Sequence, residues 1–129
     1  MQAVFRKISK RMTVCYSELF PDSTDEYFHF AYMGKLFLVA DSYCMNPDCT
    51  CQEAALHFVQ TYPVKGRKTE SFMIKYKLNG RGYKIYEQGM FNRHDIQNIM
   101  RQFTADHTIP DLLNERYKVM KEKVKEILV

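Results

Sequence analysis

The run SFMIKYKLNGRGYKIYE, from Ser71 to Glu87, leaves little freedom in how it folds. Phe72, Ile74, Tyr76 and Leu78 alternate with Met73, Lys75 and Lys77 before Asn79-Gly80-Arg81-Gly82 interrupts the pattern. Successive side chains of a strand point to opposite faces, so this period of two gives an apolar face and a lysine-bearing one. The Asn and Gly residues supply a turn, which predicts a hairpin with Leu78 opposite Tyr83 and Tyr76 opposite Ile85. A lone hairpin is marginal in water, so this one requires further strands. EYFHFAYMGKLFLVAD supplies them as a second hairpin, Glu26 to Tyr32 and Lys35 to Asp41, about Met33-Gly34. Phe28, Phe30 and Tyr32 fall on one of its faces and Tyr27, His29 and Ala31 on the other. QEAALHFVQTYP then reads as the strand between the hairpins. Nine Tyr and nine Phe with no Trp suit this strand-rich middle.

Beyond residue 90 the period becomes helical. Asn92 is a cap residue with Asp95 three positions on, and Ile96, Ile99, Met100 and Phe103 follow on one face. Thr108 is the predicted cap of a second helix, with Asp111 in the capping-box position and Pro110 tolerated in the first turn. Its stripe is Leu113, Tyr117, Met120, Val124 and Ile127. Such a stripe packs on a core or serves a protein partner or a homodimer. Residues 1–12 form a short amphipathic helix with Val4, Phe5, Ile8 and Met12 on its apolar side, and PDSTDE at 21–26 separates it from the sheet. The expected fold is a single α+β domain over residues 1–129. In it an antiparallel β-meander of about five strands is packed by two C-terminal helices, with a short N-terminal helix. A chain of 129 residues can bury a core without disulfide staples.

Chemistry concentrates in SYCMNPDCTCQEA. Cys44, Cys49 and Cys51 are spaced Cys-x4-Cys-x-Cys around an Asn-Pro-Asp turn. The N-terminus lacks the apolar stretch of a secretory signal, and no run approaches the roughly 18 apolar residues of a membrane span. A cytoplasmic location is expected, without membrane association. In a reducing compartment clustered thiols are more often metal ligands or redox groups than disulfides. Zinc takes four N, S or carboxylate ligands, so three cysteines leave one position. Cys15, the remaining cysteine, ranks first for it. His57 is second, followed by His29 and then Asp41 or Asp48 beside the loop. His94 and His107 have no argued role.

The segment Ala40–Phe58 resembles a pattern, Asp-x-Tyr-Cys-x-Asn-Pro-x-Cys-x-Cys, in uncharacterised bacterial proteins, some of which end in a small SEC-C zinc-binding module. Asp41, Tyr43, Cys44, Asn46, Pro47, Cys49 and Cys51 are the matching positions. The resemblance implies a metal knuckle of unassigned purpose. The further cysteines of the SEC-C module do not occur in this sequence, which is consistent with its being the N-terminal domain of a longer protein.

The function expected is therefore a structural zinc knuckle in a small macromolecular interaction module, favoured over an enzyme. An alternative is nucleic-acid binding through basic hairpin loops, with Lys65, Arg67, Lys68, Arg81 and Lys84 meeting phosphates while Tyr76, Tyr83 or Tyr86 stack on bases. A net charge of +4 is small for that purpose. A third reading is a thiol redox or metal-dependent enzyme using Cys49 or Cys51. The adjacent Asp48, Thr50 and Glu53 do not supply the cation that would activate a thiol. Walker, dinucleotide-glycine, HExxH and GxSxG motifs do not occur.

Overall fold

Alternation dictates the sheet. In the computed structural model, which describes residues 2–22, 27–64, 66 and 68–128, the strands pair in chain order. β2 (Phe28–Tyr32), β3 (Lys35–Cys44), β4 (Glu53–Tyr62), β5 (Ser71–Lys77) and β6 (Tyr83–Glu87) form an antiparallel meander. Two helices follow, α3 (Arg93–Phe103) and α4 (Thr108–Leu128). The fold is the expected α+β class. Val39, Tyr43, Leu56, Phe58, Phe72 and Ile74 are buried against the helices, while the residues alternating with them along β3 to β5 are half-buried or exposed.

The opening segment contributes more than a helix. After α1 (Gln2–Ser9), Thr13–Cys15 forms β1 and Tyr16–Leu19 a short helix, α2. Because β3 is ten residues long, its first half pairs with β2 (Phe28↔Val39 to Tyr32↔Lys35) and its end with β1 (Thr13↔Cys44, Cys15↔Ser42). Val4 and Ile8 are buried, whereas Phe5 and Met12 are 38% and 51% exposed. The predicted stripe breaks at the helix end. Arg11 takes a left-handed conformation (φ 58°), its N–H donates to Ile8 O, and the N–H of Met12 donates to Lys7 O. That C-terminal cap turns Met12 away from the helix face.

Two details of register and capping differ from expectation. Tyr76 pairs with Tyr83 and Ile74 with Ile85, and Leu78 lies beyond the strand. The cause is the neighbouring loop, where the Leu78 N–H donates to Gln52 O at 3.0 Å and leaves the β5–β6 ladder. Arg81 N–H meanwhile bonds Asn79 Oδ1 and closes the turn. Asn92 caps α3 as expected, accepting from Asp95 N–H at 2.7 Å. In α4 the capping oxygen is that of Asp106, which accepts from Thr108 N–H at 2.9 Å. Thr108 is itself the first helical residue.

The stripe of α4 closes the core. Leu113, Met120 and Val124 are buried, and Tyr117 and Ile127 pack against the same cluster. The apolar face that a partner or second copy would have used therefore lies inside the fold. At its centre Arg116 Nη1 donates to Asp41 Oδ1 at 2.8 Å, and Tyr43 OH donates to Asp41 Oδ2 at 2.6 Å. The guanidinium lies 4.2 Å from the Tyr16 ring centroid and 4.5 Å from that of Phe28. Burial pushes the Asp41 carboxyl above its ordinary range, opposed by the Tyr43 hydroxyl and then by Arg116.

Gly89 follows β6 at φ +62°, and a Cβ there would collide with the backbone oxygen of Ser71. Gly80 has a similar φ of +78° but open space around it. Left-handed conformation alone costs a non-glycine residue about 1–2 kcal/mol. Gly89→Ala is thus expected to lose more stability than Gly80→Ala, by a further ~1 kcal/mol for displaced backbone. Urea unfolding of the two variants gives the comparison.

Candidate metal centre

Local chemistry brings the three loop cysteines together. Cys44 is the last residue of β3, and Asn46-Pro47-Asp48-Cys49 then makes a tight turn. The Cys49 N–H donates to Asn46 O at 2.9 Å, and the Asp48 N–H to Asn46 Oδ1 at 2.9 Å. Proline presets φ at the second position of such a turn. Asn46 Nδ2 also donates to Ile8 O, tying the loop to the end of α1. Cys51 precedes Gln52, which adopts φ 48°, and β4 begins at Glu53. The resemblance pattern divides cleanly: Asp41 and Tyr43 belong to the buried network, Asn46 and Pro47 shape the turn, and the cysteines face a cavity.

That cavity, about 210 Å³, is lined by Cys44, Cys49, Cys51, Glu53, Arg11 and Lys75, among others. The sulfurs of Cys49 and Cys51 share a hydrogen bond at 3.1 Å, and Cys44 Sγ donates to Arg11 O at 3.9 Å. Each thiolate is also favoured by a backbone N–H two residues further on, that of Asn46 for Cys44, of Cys51 for Cys49 and of Glu53 for Cys51. An N–H aimed at sulfur stabilises the thiolate. For Cys49 these bonds prevail, and its pKa lies below the usual thiol value, with Lys121 of α4 contributing. Burial outweighs them at Cys44. At Cys51, burial and then Cys49 push the thiol up to about 11.

The cationic neighbours come from other elements. Arg11, Lys75 and Lys121 are remote in sequence, so inspection of adjacent residues alone misses them. Among the described residues, no group of three or more His, Cys, Asp or Glu side chains is arranged, as it stands, to hold a metal ion. Two thiolates on one tetrahedral zinc stand about 3.8 Å apart, given Zn–S near 2.3 Å. The 3.1 Å Cys49–Cys51 contact is thus a thiol pair that a metal would spread by about 0.7 Å.

The sequence-chosen fourth ligands lie elsewhere. Cys15 pairs with Ser42, two residues along β3 from Cys44, or about 7 Å. Its N–H donates to Glu18 Oε1 at 2.9 Å, and that carboxylate binds Lys7 at 2.8 Å. Burial and then Glu18 raise its pKa. His57 pairs with Ala40 and Met73, four residues along β4 from Glu53, or about 13 Å. His29 is exposed on β2 opposite Leu38, Asp41 is committed to Tyr43 and Arg116, and Asp48 is exposed.

The basic residues separate as well. Lys68 lies before β5 in a small cavity with Lys35, Gln60 and Glu70. Arg81 lies beyond the other end of that seven-residue strand, about 20 Å away, and Lys84 lies on β6 near that end. Lys65 and Arg67 fall outside the described residues. Lys84 pairs with Lys75, whose Nζ lies 4.6 Å from the Tyr86 ring centroid. Tyr76 belongs to the buried cluster and is unavailable for stacking.

Unequal thiols give a chemical signature. In metal-free protein below pH 9, iodoacetamide is expected to alkylate Cys49 before Cys51, its rate rising through the lowered Cys49 pKa. Site-resolved mass spectrometry measures the order; modification of Cys51 first would contradict it. None of the described helices is long and apolar enough to cross a membrane. Comparison with known proteins gives no match among family models, curated proteins or solved structures.

Proposed function

We propose that Cys44, Cys49 and Cys51 form a structural zinc knuckle that braces the β3–β4 connection of a macromolecular interaction module. The observation that carries this reading is the convergence of all three cysteines on one cavity, with backbone N–H groups nearby that favour their thiolates. Such donors stabilise thiolates, the form that binds metal, and fix their orientation. Zinc suits a thiolate-rich site that requires no redox change. Since the α4 stripe is buried, the partner-facing surface in this reading is the half-exposed sheet face of Ala40, Ser42, Ala55 and Met73. Zinc titration against a chromophoric chelator tests the knuckle. Serine at position 44, 49 or 51 should each weaken binding by about tenfold or more. Binding unchanged in all three would end the proposal.

A second reading has one observation in its favour. The 3.1 Å Cys49–Cys51 contact, together with the lowered pKa of Cys49, suits thiol exchange. Incubation of metal-free protein in glutathione buffers of graded potential tests it: a Cys49–Cys51 disulfide forming near cytosolic potentials supports the redox role. Formation only under strong oxidants removes it.

A further inference from the structure

The sheet places a carboxylate beside the thiols. Tyr43 pairs with Ala54, and continuing that antiparallel register by one residue sets Cys44 across from Glu53. Thr13 is the other neighbour of Cys44, and Lys77 the other neighbour of Glu53. Cross-strand neighbours hold their Cβ atoms about 4.5–5.5 Å apart on the same face, within reach of a glutamate side chain. Glu53 lines the thiol cavity together with Cys44, Cys49 and Cys51. Neither Cys15 nor His57 lines it.

We propose that Glu53 is the fourth ligand, giving a Cys3Glu site. This inference rests on the zinc-knuckle reading and adds the identity of its oxygen donor. Charge supports the assignment. A doubly positive ion with three thiolates and one carboxylate leaves a doubly negative centre, and Arg11 and Lys75 line the cavity while Lys121 acts on Cys44 and Cys49. Carboxylate oxygen is an ordinary zinc donor, bonding at about 2.0–2.2 Å. Glu53 opens β4 and is half-buried, so its side chain can turn toward the sulfurs without unfolding the strand.

Cobalt(II) substitution tests the ligand set, because thiolate-to-cobalt charge-transfer absorption grows with the number of bound sulfurs. Wild type is expected to show three-thiolate intensity, and Cys15→Ser the same. Glu53→Cys should raise the intensity by about a third, since the site then holds four thiolates. Glu53→Gln, close in shape, should weaken zinc binding by about 10–100-fold while the far-ultraviolet circular dichroism stays unchanged. Loss of intensity in Cys15→Ser, or unchanged affinity in Glu53→Gln with no gain in Glu53→Cys, would overturn the assignment. Absence of cobalt and zinc binding by wild type would overturn the knuckle reading, and Glu53 with it.

Discussion

Arg116→Met is expected to destabilise the protein by about 3–5 kcal/mol, because it leaves the Asp41 carboxylate buried without its cation. Both partners are deeply enclosed, with side-chain exposures of 6% and 1%. The substitution also removes the guanidinium from between Tyr16 and Phe28, so α2, β2, β3 and α4 lose a shared contact. Asp41→Asn should cost a comparable amount, since the enclosed Arg116 guanidinium loses its counter-charge and cannot shed its proton. The double variant should be less destabilised than the sum of the two, the mark of a coupled pair. Urea unfolding of the four proteins measures this; a loss below about 1 kcal/mol for Arg116→Met would contradict a central role for the network.

Removal of zinc from the loaded protein should have an effect of similar size. At free zinc a thousandfold above Kd, binding stabilises the folded state by about 4 kcal/mol. For a chain of this length the corresponding fall in Tm on chelation is about 15 °C. Unlike a zinc finger, the chain should remain folded, because its phenylalanine core is independent of the loop. Phe58 stacks on Phe72 at 4.6 Å and meets Phe103 at 5.1 Å. The loss should concentrate at the knuckle, with hydrogen exchange rising around Tyr43, Cys44 and Ala54 while Phe58 and Phe72 stay protected. Uniform protection with and without chelator would show that the loop braces nothing.

The meander was legible because its strands keep a period of two over five to ten residues between turns. β1 was not, since Thr-Val-Cys is too short to display a period and pairs only because β3 runs past β2. α2, at four residues, likewise carries no periodic signal. The cysteine loop shows how far local spacing reaches. The turn chemistry of Asn46 and Pro47 predicted the convergence of three thiols, and the structure brings them to one cavity. What spacing could not supply was the cross-strand register, which ends at Tyr43 and Ala54 with Glu53 lining the Cys44 cavity and pairs Cys15 two residues away. It also could not supply Lys121, which acts on Cys44 and Cys49 from α4. Adjacent residues alone suggested a site without activating cations; the Cys49 thiol is nonetheless lowered, chiefly by its neighbour Cys51 through backbone and then side chain, with Lys121 contributing least.

The central claim is that the loop thiols hold a metal in the native protein. Elemental analysis of protein purified without added metal, paired with thiol titration before and after denaturation, tests it most directly. Equimolar zinc is expected, with Cys44, Cys49 and Cys51 protected until the protein is unfolded or chelated. Metal-free protein whose loop thiols titrate freely in the native state would contradict it.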